Sequence, residues 1–136
     1  MSARRPRSLE VAGVTHGKTP IPMGARVGNL IFSSGISGKD PATDSVPADI
    51  ESQVRFAFQN MRSLLEAGGA TLDDVVRMTV YLKDTAHREA VNAEWLKCFP
   101  DRHDRPARHA QVVALAGAVL VQLEIVAVVQ DRGTGG

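Results

Sequence analysis

The stretch RPARHAQVVALAGAVLVQLEIVAVV, residues 105 to 129, is apolar enough to lie in the middle of a sheet, yet it keeps Arg108 and Glu124 within it. A guanidinium on a cleft wall can grip a carboxylate through two parallel hydrogen bonds. A carboxylate in apolar surroundings can orient and activate water as a general base. Together the two groups suit hydrolysis of a small carboxylic acid. The structural alternative is a buried ion pair that holds the register of a hairpin. If residues 107 to 114 and 119 to 129 are strands joined by a turn at Ala116-Gly117, residue 108 or 110 lies opposite 124. Either register puts Arg108 and Glu124 on one face, because side chains alternate with period two. A slip of one residue would put His109 there instead. Gln122 shares the face of Glu124.

Other chemistry finds less support. His16, His87, His103 and His109 show no metal-ligand spacing, so no metal site is expected. Ser34-Gly35 lacks the GxSxG elbow of a serine hydrolase, and the chain is too short for that sheet. Cys98 falls on the expected buried side of a helix, and the glycines form no phosphate-binding loop before a helix. No cofactor is implied.

The elements that must carry Arg108 and Glu124 follow from periodicity. Three short strands, SLEVAG and the pair within ARVGNLIFSSG turning at Gly28-Asn29, lead through the loop SGKDPATDSVPAD to a helix. In that helix Ile50, Val54, Ala57, Phe58, Met61, Leu64 and Leu65 recur at helical spacing, with Glu51, Gln53, Arg55, Gln59 and Arg62 expected to face away. Gly68-Gly69 ends it. DDVVRMTVYL alternates Val76, Met78, Val80 and Leu82 against Arg77, Thr79 and Tyr81, the pattern of a half-buried strand. Asp84 or Thr85 then caps a second helix that points Val91, Trp95, Cys98 and Phe99 inward. The polar loop DRHDRP leads to the last two strands.

This order predicts an α+β fold: a single six-stranded mixed sheet with two helices on one face. One domain is expected over residues 8 to 130, with a disordered basic arm at 1 to 7 and a disordered tail at 131 to 136. In the last strand Val119, Val121, Leu123, Ile125 and Val129 alternate with Leu120, Val126 and Val128, so both faces are apolar. Helices can cover only one, and the other is expected to pack on a second subunit.

Of the 16 basic residues, Arg4, Arg5 and Arg7 belong to the arm, which leaves 13 against 15 acidic residues in the body. That balance, with one Trp and one Tyr, argues against a nucleic-acid partner. No segment is apolar enough to span a membrane, MSARRPR lacks the continuation of a targeting peptide, and the single cysteine suits a reducing compartment. A cytoplasmic protein is expected.

GNLIFSSG, DPATDSVPADIESQVRFAFQNMRSLLEAGGATLDDVVRMTVYLKD, VNAEW, RPARHA and VQLEIVAVV together resemble, in order and spacing, the reactive-intermediate deaminase family (RidA/YjgF), from about residue 20 to 130. The resemblance implies a chorismate-mutase-like fold and a homotrimer whose sheets form a central barrel with the helices outside. Clefts between subunits would hydrolyse enamine and imine intermediates such as 2-aminoacrylate to 2-keto acids and ammonia, without metal or organic cofactor. By motif, Arg108 would grip the substrate carboxylate and Glu124 would position water, with Asn92, Ser34 and Gly35 lining the cleft. The chain departs from the family pattern at Ile21, where many deaminases carry tyrosine, at His109-Ala110, where they carry Ser-Cys, and at Ile36, in place of a frequent glutamine. His16 and His109 could supply polar contacts in their stead, or His109 could be a packing residue. A substrate bulkier or less polar than 2-aminoacrylate would suit such a wall. The competing reading is a non-catalytic regulatory protein that binds a small metabolite in the same cleft. A ribonuclease or translation-inhibitor role, sometimes attached to the family, is disfavoured by the charge of the body.

Overall fold

The computed structural model describes residues 6 to 130. The expected arm, apart from Pro6 and Arg7, and the expected tail lie outside the described residues. Arg7 already belongs to the sheet edge, where its carbonyl accepts the Arg26 N–H at 2.8 Å.

The elements run β1 (Ser8–Leu9), β2 (Gly24–Val27), β3 (Leu30–Ser33), β4 (Ile36–Ser37), α1 (Ile50–Ala67), β5 (Val75–Leu82), α2 (Arg88–Cys98), β6 (Ala107–Val112) and β7 (Val121–Val128). Six strands form one path, β1-β2-β3-β7-β5-β6, and β4 adds a seventh, short strand on β7. All pairings are antiparallel except β5 with β6. This is the expected α+β architecture of a mixed sheet and two helices. The β2–β3 turn works as read, with Val27 opposite Leu30 and Gly28 at φ 60°, a left-handed value that only glycine adopts freely.

Asp49 caps α1 by accepting the Ser52 N–H at 2.9 Å. The apolar stripe Val54, Ala57, Phe58, Met61, Leu64 and Leu65 is buried against Ile31, Met78, Val80, Leu82, Val121, Leu123 and Ile125 of the sheet, and Val91, Trp95 and Phe99 join the same core.

Gln53 corrects the sequence reading. It faces inward and is fully buried. Its amide donates to the carbonyls of Pro47 at 2.8 Å and Ala118 at 2.9 Å, and its Oε1 accepts the Leu120 N–H at 2.8 Å. A polar residue thus occupies a core position because three backbone groups there need partners. Asn60, also buried, donates to the carbonyls of Ser37 and Lys39 and so fastens α1 to the end of β4.

Val76 is a second correction. A bulge between Val75 and Arg77 turns Val75 into the core and leaves Val76 half exposed, while Met78, Val80 and Leu82 keep the expected inward face.

The largest correction concerns the last two strands, which are not neighbours. The α2 crossover delivers β6 parallel to β5 on its outer side, and β7 pairs antiparallel with the inner side of β5. Residues 113 to 120 pass over the end of β5, where Val113 N–H bonds to Leu82 O and Lys83 N–H to Leu120 O. A connection that short reads as a hairpin, but the edge beside β5 was already the place to which α2 returns the chain.

Gln53→Met, which keeps the volume and removes all three bonds, is expected to lower unfolding stability by about 2 to 4 kcal/mol in urea titration, because buried backbone groups lose their partners.

Candidate active site

The register of β5 decides where each candidate side chain goes. Arg108 lies level with Met78, so it shares the helix-covered face of the sheet, on edge strand β6. There Asn92 and Trp95, three residues apart on one side of α2, receive it. Arg108 Nη2 donates to Asn92 Oδ1 at 2.6 Å, and the guanidinium carbon sits 4.9 Å from the centre of the Trp95 ring. Ala110 points to the same face. Burial first, and then the charge of Arg88, pull the Arg108 guanidinium below its ordinary value, though an arginine stays charged throughout the physiological range. The ion pairs found among the described residues are Lys39–Asp44 and Lys97–Glu94, so no carboxylate of the described chain offsets Arg108. A half-buried cation in that condition favours an anionic ligand.

Glu124 points the other way. It lies level with Thr79, and Thr79 lies level with His109, so the three form a row across β7, β5 and β6 on the open face. The expectation that Arg108 and Glu124 share a face is therefore overturned within one chain, and with it the hairpin ion pair. With β5 between the two strands, the β6 residue on the row of Glu124 is 109 rather than 108 or 110.

The Tyr81 hydroxyl donates to Glu124 Oε1 at 3.2 Å. Burial, then the charge of Glu124 and this hydrogen bond, push the Tyr81 phenol above its ordinary value of 10.0, so it remains a donor at neutral pH. Gln122 lies opposite Tyr81, and its amide fills the space above Gly35, where a Cβ would fall 1.5 Å from Nε2. Only glycine fits at 35 with Gln122 so placed.

The chain opens at this point. β3 pairs with β7 up to Phe32–Val126, and β4 resumes at Ile36–Leu123. Between them Ser33 Oγ takes the place of a ladder carbonyl and accepts the Ile125 N–H at 2.8 Å. Ser34 turns aside, its hydroxyl donating to Pro22 O at 2.8 Å. Ser34-Gly35 thus lies along β7 beside Gln122 and Glu124, whereas Asn92 lies with Arg108.

The remaining candidates are scattered. The charged neighbours of His16 are Lys39, Glu10 and Asp44, away from Arg108 and Glu124. Burial, and then Lys39, hold its imidazole below the ordinary value, and its Nε2 is buried with no hydrogen-bond partner among the described residues. Ile21 is exposed on the β1–β2 loop, while Ile36 is fully buried and belongs to the core. Cys98, expected inside, is half exposed and accepts a hydrogen bond from Arg62 at 3.3 Å. The cavities of about 450 and 390 Å³ lie elsewhere, lined by residues such as Arg62 and Leu72 or Arg26 and Gly68. No helix of the described chain is long and apolar enough to cross a membrane.

Sequence reasoning missed two partnerships, Trp95 beneath Arg108 and Tyr81 on Glu124. The alternation of Thr79 and Tyr81 against Met78 and Val80 carried the signal for the second, but only the pairing of β5 with β7 shows which residue the hydroxyl meets.

Residues 21–130 match the family model described as endoribonuclease L-PSP. A RutC family protein of Haemophilus influenzae is 37% identical over 112 residues, covering 80% of this chain and 86% of its own. The 2-iminobutanoate/2-iminopropanoate deaminase of Escherichia coli is 34% identical over 111 residues, covering 80% and 87%. Among solved structures, that of E. coli TdcF with bound serine superimposes with a TM-score of 0.82 at 26% identity, covering 92% of this chain and all of that one.

Tyr81 is the single tyrosine, so its ionisation can be followed by absorbance near 295 nm. The midpoint is expected above the ordinary 10.0, and Glu124→Gln should bring it down part of the way, since burial, the largest cause, remains.

Proposed function

The chain belongs to the RidA/YjgF family, and on that footing we propose that it is a hydrolytic deaminase of imine and enamine intermediates derived from small carboxylic metabolites. Its products would be 2-keto acids and ammonia. The observation that carries this reading is the pair of prepared, complementary groups: a half-buried guanidinium with no carboxylate of the described chain to offset it, and a carboxylate held by a hydroxyl at a break in the sheet. The deaminase named among its relatives and the serine bound to TdcF point to the same class of small amino-acid-like molecules.

In the proposed reaction Arg108 holds the substrate carboxylate while Asn92 and Trp95 hold Arg108. Glu124 takes a proton from water as the water oxygen bonds to the imine carbon, the C=N electron pair moves to nitrogen, and that proton passes on to the nitrogen. The resulting carbinolamine collapses: the hydroxyl gives its proton to Glu124 and becomes the keto oxygen, the C–N bond breaks, and the nitrogen, protonated as it departs, leaves with the pair as ammonia. His109, exposed on the row of Glu124, is the candidate donor to the departing amine.

One chain turns Arg108 and Glu124 to opposite faces, so the site is assembled between copies, Arg108 and Asn92 from one and Glu124, Ser34 and Gly35 from the next. The open face has the surface for it. Val27, Leu30 and Phe32 are 64%, 47% and 54% exposed beside half-buried Val126 and Val128, an apolar patch that a second sheet would cover. The homotrimer, with its sheets turned inward as a barrel, is the assembly proposed.

The test is release of keto acid and ammonia from imines generated in situ by an amino-acid oxidase. Arg108→Ala is expected to lower kcat/KM about 100-fold or more, chiefly through KM. Glu124→Gln is expected to lower kcat by about 100-fold or more with KM little changed. A wild type that binds keto acids but accelerates no imine would instead be a metabolite-binding regulator. Light scattering should give a trimer, and a stable monomer would remove the shared site.

A further inference from the structure

We propose that Tyr81 is a positioning residue for the water-activating carboxylate, an inference that rests on the deaminase reading and deepens it. Tyr81 lies across from Gln122, two pairs along from Glu124 and on the same face, so its ring leans diagonally over the open face to place the hydroxyl 3.2 Å from Oε1. A phenol has one proton to give and Glu124 is its acceptor, so Oε1 is engaged and Oε2 is the oxygen left to meet water. Gln122, seated over Gly35, and Thr79, on the row of Glu124, flank the tyrosine across and along its strand. Thr79 is buried. The ring is thereby held by the sheet rather than by a loop.

The arrangement has a consequence for rate. A glutamate on a strand has three rotatable bonds, and an unrestrained carboxylate presents either oxygen in many orientations. Tethering one oxygen removes most of them before substrate arrives, which matters because small misplacements of a base cost much of its effect. Tyr81 lies on the face opposite Arg108, so it contributes nothing to the grip on the substrate carboxylate from its own chain. Its removal should therefore appear in turnover and leave affinity alone. The family tyrosine expected near residue 21 is isoleucine here, which leaves Tyr81 as the single phenol of the chain.

Steady-state deamination by the full-length Tyr81→Phe variant, on the imines used for the wild type, reads this out. The expected result is a fall in kcat of about ten- to thirty-fold with KM within twofold of wild type and an unchanged melting midpoint. In a Glu124→Gln background the same substitution should have no further effect on the residual rate, because the hydroxyl acts through that carboxylate. An unchanged kcat, or an equal loss with and without Glu124, overturns the proposal. Those outcomes are distinct from failure of the deaminase reading. If the wild type accelerates no imine, both fall; if Glu124→Gln keeps full activity, the water-activating role of Glu124 falls and that of Tyr81 with it, while the deaminase reading stands. If Glu124→Gln is crippled while Tyr81→Phe is not, only the role of Tyr81 falls.

Discussion

Strand β5 is the constraint on which the rest depends. It runs parallel to β6 on one side and antiparallel to β7 on the other, so its registers assign a face to each candidate group on those strands. Met78, Val80 and Leu82 point to the helices, and Arg108 and Ala110 go with them. Thr79 and Tyr81 point away, and His109, Gln122 and Glu124 go with those. The bulge at Val76 sets this phase: it lets Val75 stay in the core opposite Ala127 while the strand beyond it is shifted by one residue. Without that extra residue, the pairing of the rest of β5 with β7 would change sides.

Opposite faces keep opposite charges apart. On adjacent strands of one face, Arg108 and Glu124 would be close enough to pair, and a partly buried pair holds each group against any other ligand. As folded, the guanidinium rests on Trp95 and Asn92, and the carboxylate keeps a neutral hydroxyl partner. Neither arrangement neutralises the charge. In the proposed assembly the two meet only across a boundary between copies, where substrate can lie between them.

Much of the fold was legible because it is written locally. The α1 stripe, the glycines that end it, the Gly28-Asn29 turn and the alternation of β7 each depend on residues within a few positions of one another. Gln53 was misread for the opposite reason. Its polarity signals solvent, and what it meets instead are backbone groups at 47, just before the helix, and at 118 and 120, distant in sequence and brought close by packing. The hairpin of β6 and β7 failed similarly, since eight residues suffice either to turn directly or to step over the end of β5. Tyr81 was visible as an outward residue of a half-buried strand, with nothing nearby to name its partner.

By itself, then, the sequence determined the two helices, six of the seven strands, most of the apolar core, the mixed sheet, the family, and the choice of Arg108 and Glu124 as the residues to watch. Only the tertiary structure decided that these two leave the sheet on opposite sides, that Arg108 lies with Asn92 and Trp95, and that Glu124 lies with Tyr81 and in line with His109. Periodicity states which residues of a strand share a face. Which strand lies beside which is settled by where α2 returns the chain, and that depends on packing contacts far apart in sequence.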